Sequence, residues 1–192
     1  MSRRTFKLSA ALFVLLIFLI KNISLPVNKT SLPPAKTPVP SPSVLGNTVI
    51  GSRSKTSGCQ VNGPLPDTAC TPGAIFPEVT AKEICVSGYS SSVRNVPANI
   101  KNSVYEEYGI TSHSPGEYEV DHLISLELGG SNDIANLWPE AASPTPGFHQ
   151  KDQLENYLHD QVCQNKLTLS DAQKIISANW FDYYRENLNP GN

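Results

Sequence analysis

Catalysis or metal binding in this chain would depend first on an adjacent Asp-His pair. Asp121 and His122 end a strand-like run, Asn136 follows fourteen residues after His122, and His149 stands at the start of a helix-forming segment. A hard divalent cation prefers oxygen ligands, which Asp121 offers, whereas a neutral imidazole can take a proton from water. Asn136 could hydrogen-bond the imidazole or a backbone carbonyl, and His149 would complete a metal site from the other side. The pattern indicates metal-assisted hydrolysis.

The elements that must position these residues are a strand, a Gly-rich loop, a short strand, a second loop and a helix. Residues 117–128 favour a strand, 129–133 (GGSND) a loop, and 134–138 a short apolar strand that Pro139 ends. Residues 149–163 are rich in helix formers. Because neighbouring side chains of a strand point to opposite faces, the Asp-His pair can serve one site only if the backbone turns there.

Two further helices flank this region. Residues 99–109 repeat apolar side chains every four positions, with Asn99 as the expected N-cap and Gly109 as the stop. The last helix has a capping-box pattern in Ser170 and Gln173. The apolar faces of the last two helices are expected to consist of Leu154, Tyr157, Leu158 and Val162 in one and of Ala172, Ile175, Ile176 and Trp180 in the other.

The run YEVDHLISLELGGSNDIANLWPE, residues 118–140, resembles the core of the HNH endonucleases, also called His-Me finger or ββα-metal nucleases. The chain is also similar to exported bacterial HNH-like proteins that combine EVDHLI, LELGG, NLWPE, a KD-x-x-E helix and a terminal AQ-x-x-I-x-x-x-W helix. The resemblance is specific over residues 117–160 and looser over 70–181.

The resemblance implies an α+β fold with a ββα-metal core, additional helices and a one-metal phosphodiesterase site. His122 would be the general base that activates water, and Asn136 would orient and support the hairpin. A divalent ion on Asp121 and His149 would stabilise the phosphorane charge and the leaving 3′ oxygen. We expect Mg²⁺ on grounds of availability, with Mn²⁺, Ni²⁺ and Zn²⁺ as alternatives that an imidazole ligand suits better.

The helix departs from the family pattern. The interval from Asn136 to His149 is longer than usual, His149-Gln150-Lys151 stands where the family often has His-x-x-Lys, and the Cys-x-x-Cys zinc supports of many members are absent. The third ligand therefore has alternatives on the same helix. These are Asp152, or Glu155 with His159 on one helical face at i and i+4.

The first 57 residues do not resemble a folded core. Residues 1–22 combine a basic start with the apolar run 8–20, which at about 20 Å is too short for a comfortable membrane span and favours a cleaved signal peptide over a retained anchor. Residues 23–57 are rich in Pro and Ser and are expected to form a disordered linker. The nuclease-like domain is expected at 58–192, with its core at 117–163.

Four cysteines in an exported chain favour disulfides. Of the three pairings, we expect Cys59 with Cys70, across a Pro/Gly-rich loop, and Cys85 with Cys163, between the early part of the domain and a late helix. The charge of −2 becomes about −5 when residues 1–20 are removed, because they contain three basic and no acidic residues. A broad basic surface for nucleic acid is therefore excluded, and binding must depend on a local site.

The sequence thus predicts an exported, monomeric, metal-dependent endonuclease, either extracellular or anchored facing outside, with DNA favoured over RNA as the substrate. It would contact a membrane only through its N-terminal segment if that is retained. The first alternative is a non-catalytic exported binding or wall-associated module on a degenerate ββα-metal scaffold, which the negative charge and the open third ligand favour. The second is a hydrolase that acts on another phosphodiester at the same site.

Overall fold

The computed structural model describes residues 50–190, and in that range the chain has a mixed α+β fold. The predicted signal peptide or anchor and residues 23–49 of the predicted linker lie outside the described residues. Within the described range, no helix is long and apolar enough to cross a membrane. The elements in chain order are α1 (Ala81–Ile84), α2 (Tyr89–Val93), α3 (Ala98–Glu107), β1 (Tyr118–His122), β2 (Leu137–Ala141), α4 (Phe148–Cys163) and α5 (Leu169–Asn187).

The two strands form an antiparallel sheet in which His122 lies opposite Leu137 and Asp121 opposite Trp138. The strand predicted over 117–128 ends at His122, because the chain then turns into a short 3₁₀ helix, Leu126–Leu128, capped by Ser125. Pro139 does not end the second strand but lies inside β2. Proline is tolerated there because each strand of a two-stranded sheet has a free edge.

The core is formed where α4 and α5 pack on the turn after β1. The apolar faces predicted for both helices are confirmed, except that Tyr157 is only partly buried. Packing of these faces against the turn fixes α4 next to β1, which is the relationship that matters for the candidate site. Buried members of this core include Leu123, Ile124, Trp138, Leu154, Leu158, Val162, Ala172, Ile175, Ile176 and Trp180.

Two predicted helix starts are wrong by two residues. The N-cap of α3 is Pro97 rather than Asn99. The N-cap of α5 is Thr168, whose hydroxyl accepts a hydrogen bond from the Asp171 N–H at 3.1 Å. Gln173 is therefore not part of a cap: it lies one turn inside α5, is buried, and donates to the Leu128 carbonyl at 2.8 Å.

Both predicted disulfides are confirmed, Cys59 with Cys70 and Cys85 with Cys163. The second joins the C-cap of α1 to the last residue of α4. Disulfides persist in oxidising compartments, so the pair indicates an extracellular type of environment.

The last residues of the predicted linker contact the domain. The Gly51 N–H donates to the Gly73 carbonyl at 2.6 Å, and Lys55 forms an ion pair with Asp67 at 2.9 Å. Arg53 is less exposed than Lys55 and pairs with Glu107 on α3. The ordered part of the domain therefore begins before residue 58.

Candidate functional site

Asp121 and His122 lie at the end of β1 with their side chains on opposite faces of the sheet. Directly opposed residues of an antiparallel pair share a face, so Asp121 shares its face with Trp138, and His122 shares the other face with Leu137. Asp121 contacts α4, whereas His122 contacts the loop that follows the two glycines. The adjacent pair therefore belongs to two connected but separate groups of side chains.

Lys151 of α4 occupies the centre of the group on the Asp121 face. Its side chain is 0% exposed, and its ammonium donates to Asp121 Oδ2 at 2.6 Å, to the His122 carbonyl at 2.7 Å and to Glu155 Oε1. These contacts use the three N–H donors of an ammonium group. Lys151 thus ties α4 to the end of β1 and places a fixed positive charge against Asp121.

Besides Asp121, the carboxyl groups of Glu140 and Glu155 lie around the Lys151 ammonium. Glu140 of β2 is 1% exposed, its Oε2 lies 3.9 Å from Lys151 Nζ, and neither of its oxygens has a hydrogen-bond partner within the described residues. Burial raises the pKa of Glu140 well above its usual range and that of Glu155 to about 7. Burial also opposes ionisation of Asp121, but the Lys151 charge holds the pKa of that carboxyl below its ordinary value.

The protonation of this group follows from those directions. One ammonium cannot neutralise three buried carboxylates, so negative charge is favoured on Asp121, whose pKa the ammonium lowers, over Glu155 and Glu140, whose pKa values burial raises. Glu140 is the member whose ionisation burial opposes, with the charge of Asp121 adding to the rise in its pKa and Lys151 acting against it. The group is a charged clamp between the sheet and the helix.

The ring of His122 contacts Asn132. From the sequence, Asn132 is predicted only as part of the loop 129–133. His122 is 2% exposed, and its Nε2 lies 3.2 Å from Asn132 Oδ1. Asn132 Nδ2 donates to the Val93 carbonyl at 2.7 Å, and the Asn95 N–H donates to Asn132 Oδ1 at 3.2 Å. Both backbone contacts require the amide oxygen, and not its nitrogen, to face the imidazole.

This orientation fixes the tautomer of His122. Since Asn132 presents an acceptor, Nε2 must carry the proton and Nδ1 keeps its lone pair. No residue in the described part of the chain hydrogen-bonds that Nδ1. Burial lowers the pKa of His122 to about 4, against the raising effect of Asp121, so the ring is neutral at ordinary pH. A neutral imidazole with an available nitrogen is the form that accepts a proton.

Asn136 supports the turn after β1 and does not contact the imidazole. It is 0% exposed, its Oδ1 accepts from the Ile124 N–H at 2.9 Å and the Ala74 N–H at 3.3 Å, and its Nδ2 donates to the Ile124 and Ser131 carbonyls at 2.9 Å each. The sequence predicts either the imidazole or a backbone carbonyl as the partner of Asn136. In the structure its side chain donates to backbone carbonyls.

One of the two loop glycines is required by this arrangement. A Cβ on Gly130 would lie 1.7 Å from the Ile124 carbonyl oxygen and 2.9 Å from Asn136 Nδ2. Only a residue without a side chain allows the loop to approach so closely. Asn136 and Gly130 together return the chain past His122 and place Asn132 against its ring.

The candidate ligands on α4 are spread along the helix, from its first turn at His149 to His159. His149 is exposed in the first turn, with its ring 4.4 Å from that of Phe148, and Asp152 is exposed one turn later. Partial desolvation of its carboxyl group and the charge of Asp121 raise the pKa of Asp152. Glu155 is bound to Lys151. His159 lies farther along, where its Nε2 is 3.1 Å from the Ile84 carbonyl and 3.5 Å from Cys163 Sγ.

Within residues 50–190, no three ligand groups that include Asp121 and His149 converge on one point. Among the described residues, the one group of three His, Cys, Asp or Glu ligands that converges is Cys85, His159 and Cys163, and its two cysteines form a disulfide. Asp121 Oδ2 is already bound by Lys151. The contact with Lys151 occupies Oδ2, so an ion held by Asp121 would use Oδ1.

Comparison of this chain with protein-family models, with curated proteins and with solved structures finds no match.

Proposed function

We propose that this protein is an exported phosphodiester hydrolase that cleaves nucleic acid, with His122 as the general base. The observation that carries the proposal is the contact of Asn132 Oδ1 with His122 Nε2, which leaves Nδ1 as the proton-accepting nitrogen. The order β1, Gly-rich loop, β2, α4 supports it, because it follows the order that the HNH resemblance implies. The disulfides support a location outside the cell.

In the proposed reaction, His122 Nδ1 takes a proton from water and the resulting hydroxide attacks phosphorus. The bond to the 3′ oxygen then breaks with its electron pair on that oxygen, which takes a proton from solvent. Lys151 does not reach the substrate, because its three donors are used inside the protein. It holds the carbonyl of His122 and the carboxylate of Asp121 in place. Asp121 and His149 would hold a divalent ion, whose positive charge would stabilise the charge that develops on the phosphorane and on the leaving oxygen.

The test is cleavage by the purified full chain with both disulfides intact. Supercoiled plasmid, single-stranded DNA and RNA are incubated in EDTA and, separately, with Mg²⁺, Mn²⁺, Ni²⁺ and Zn²⁺. His122→Ala is expected to reduce the rate by roughly 10²–10⁴-fold, the usual contribution of a general base. His113→Ala is the matched control, because His113 is exposed and forms a hydrogen bond only with the adjacent Ser114 carbonyl. Absence of cleavage under every condition contradicts the proposal.

A non-catalytic binding module on the same scaffold is the second candidate. It is favoured by the burial of His122 and by the neutralisation of Asp121 by Lys151, which together resemble a structural clamp. Isothermal titration of each metal into the wild type and Asp121→Ala separates the two functions when it is combined with the cleavage assay. An inert scaffold shows neither turnover nor metal binding that depends on Asp121.

A further inference from the structure

Arg94 stands between the two backbone groups that fix the partner of His122. It is the C-cap of α2, in an extended conformation with φ −66° and ψ 114°. The carbonyl before it, of Val93, accepts from Asn132, and the N–H after it, of Asn95, donates to Asn132. The same carboxamide contacts His122 Nε2. One side chain therefore pins both the imidazole and the backbone on each side of Arg94.

The guanidinium of Arg94 is exposed and is in none of the ion pairs found among residues 50–190. The two other arginines of that range differ in this respect, since Arg53 pairs with Glu107 and Arg185 with Asp182 at 3.0 Å.

The overall charge makes a local cation necessary. The whole chain carries −2, so an anionic substrate is not attracted by a broad basic surface. Lys151 is the other cation at the site, but it is fully buried and its three donors are used. Among residues 50–190, Arg94 combines an exposed side chain outside the ion pairs with a backbone position held by the residue that contacts His122.

We propose that Arg94 binds a phosphate group of the nucleic-acid substrate next to His122. The guanidinium presents parallel N–H donors that match two non-bridging oxygens of a phosphodiester. This inference rests on the proposed function for the identity of the substrate. The phosphate contact itself concerns binding and can be measured without turnover.

The experiment measures binding of a fluorescein-labelled single-stranded oligodeoxynucleotide by anisotropy over a series of salt concentrations. The His122→Ala chain is used so that the probe is not cut, alone and combined with Arg94→Ala, Arg94→Lys or Arg185→Ala. Arg94→Ala is expected to weaken binding about ten- to hundredfold, as loss of a hydrogen-bonded charge contact does. The slope of log K against log salt should fall in magnitude by about 0.7, the value for one phosphate on a single strand.

The conservative variant and the control separate a phosphate contact from a general loss of structure. Arg94→Lys should keep the salt slope and recover part of the affinity, because it restores the charge but not the paired donors. Arg185→Ala should leave affinity and slope unchanged. In the cleavage assay of chains that retain His122, Arg94→Ala should raise KM more than it lowers kcat.

The outcomes for Arg94 and for catalysis are distinct. Equal affinity and slope in the Arg94→Ala and Arg185→Ala chains overturn the inference, even if the wild type cleaves DNA. The protein could also cut no substrate while its slope of log K against log salt still depends on Arg94. That result upholds the phosphate contact and contradicts the nuclease function. Absence of oligonucleotide binding in all chains overturns the inference.

Discussion

Asn132 Oδ1 lies 3.2 Å from His122 Nε2, and the other bonds of the same carboxamide end on the backbone of residues 93 and 95. A loop residue therefore orients the candidate base, a task that carboxylates perform in many enzymes. Because the Asn132 carboxamide is uncharged, it does not stabilise the protonated, positively charged form of the imidazole as a carboxylate would. This agrees with the pKa of about 4 that burial gives His122.

Replacement of Asn132 should change the protonation of His122. In Asn132→Asp a carboxylate would face Nε2 and favour the imidazolium, so the pKa of His122 should rise from about 4 towards or above 6.5. NMR titration of the ring protons measures it directly, and the acidic limb of any pH–rate profile should move the same way. Asn102→Asp, at an exposed position on α3, is the control. An unchanged His122 titration in Asn132→Asp would refute the assigned contact.

The burial of His122 also predicts a pH-dependent stability. Its pKa is about 4 in the folded chain against an ordinary 6.5, so between these values the unfolded chain binds more protons. The contribution is fully present above pH 6.5 and is lost as the pH falls towards 4, by about 3 kcal/mol in all. The raised pKa of Glu155 acts in the opposite sense over pH 4.5 to 7.

The His122 contribution must therefore be measured as a difference. Urea unfolding of the wild type and His122→Gln is compared at pH 7 and pH 4.5, since changes in Glu155 are common to both chains. The stability advantage of the wild type should shrink at the lower pH. An advantage that is constant across this interval would mean that His122 titrates normally.

The sequence predicted the order of elements around the site because its signals there are local. The Gly-Gly loop, the helix formers after residue 149 and the cysteine count needed no tertiary information. Lys151 and Asn132 were not predicted as site residues, because their roles depend on contacts 30 and 10 residues away in the chain. Their local patterns, Lys-x-x-x-Glu on a helix and Asn after Gly-Gly-Ser, are typical of an ordinary surface pair and a turn.

Two predicted boundaries are wrong, the end of the second strand and the start of the last helix. Pro139 was predicted to end a strand, but the strand is at an edge where a missing N–H is tolerated. Gln173 matched a capping pattern with Ser170, but the helix starts at Thr168, whose hydroxyl contacts both the N–H and the carboxylate of Asp171. The position in the fold decided the first outcome, and a second local capping contact decided the other.

Removal of the buried ammonium should be strongly destabilising. Lys151→Met leaves Asp121 and Glu155 without their cation in a site with little solvent, and loss of one partner of a buried pair costs about 3–5 kcal/mol. The triple variant with Asp121→Asn and Glu155→Gln should recover much of that loss because it removes the unpaired charges. Lys174→Met, at an exposed lysine 3.9 Å from Asp171, should change the free energy of unfolding by less than about 0.5 kcal/mol. A Lys151→Met chain as stable as Lys174→Met would contradict the clamp.

Asn136 should matter for folding more than for proton transfer. Asn136→Ala leaves the Ile124 N–H and carbonyl without side-chain partners in a buried turn, and each buried orphan costs about 1–3 kcal/mol. A total loss of roughly 3–5 kcal/mol in urea unfolding is expected on that basis. Asn156→Ala, which removes one exposed bond to the Asp152 carbonyl, is the control. Near-normal stability in Asn136→Ala, with activity abolished, would instead assign it a direct part in the reaction.

The two disulfides should contribute unequally, because they close loops of different length. Their sequence separations are 78 residues for Cys85 and Cys163 and 11 for Cys59 and Cys70. The chain-entropy relation gives losses of about 4–5 kcal/mol and about 3 kcal/mol when each pair is replaced by serine. The larger loss should be accompanied by detachment of α1 from the end of α4, visible as faster amide exchange at Ile84, which packs in the core. Urea unfolding of the two double-serine chains measures the order, and a greater loss for the short loop would show that native contacts around Cys59 outweigh loop entropy.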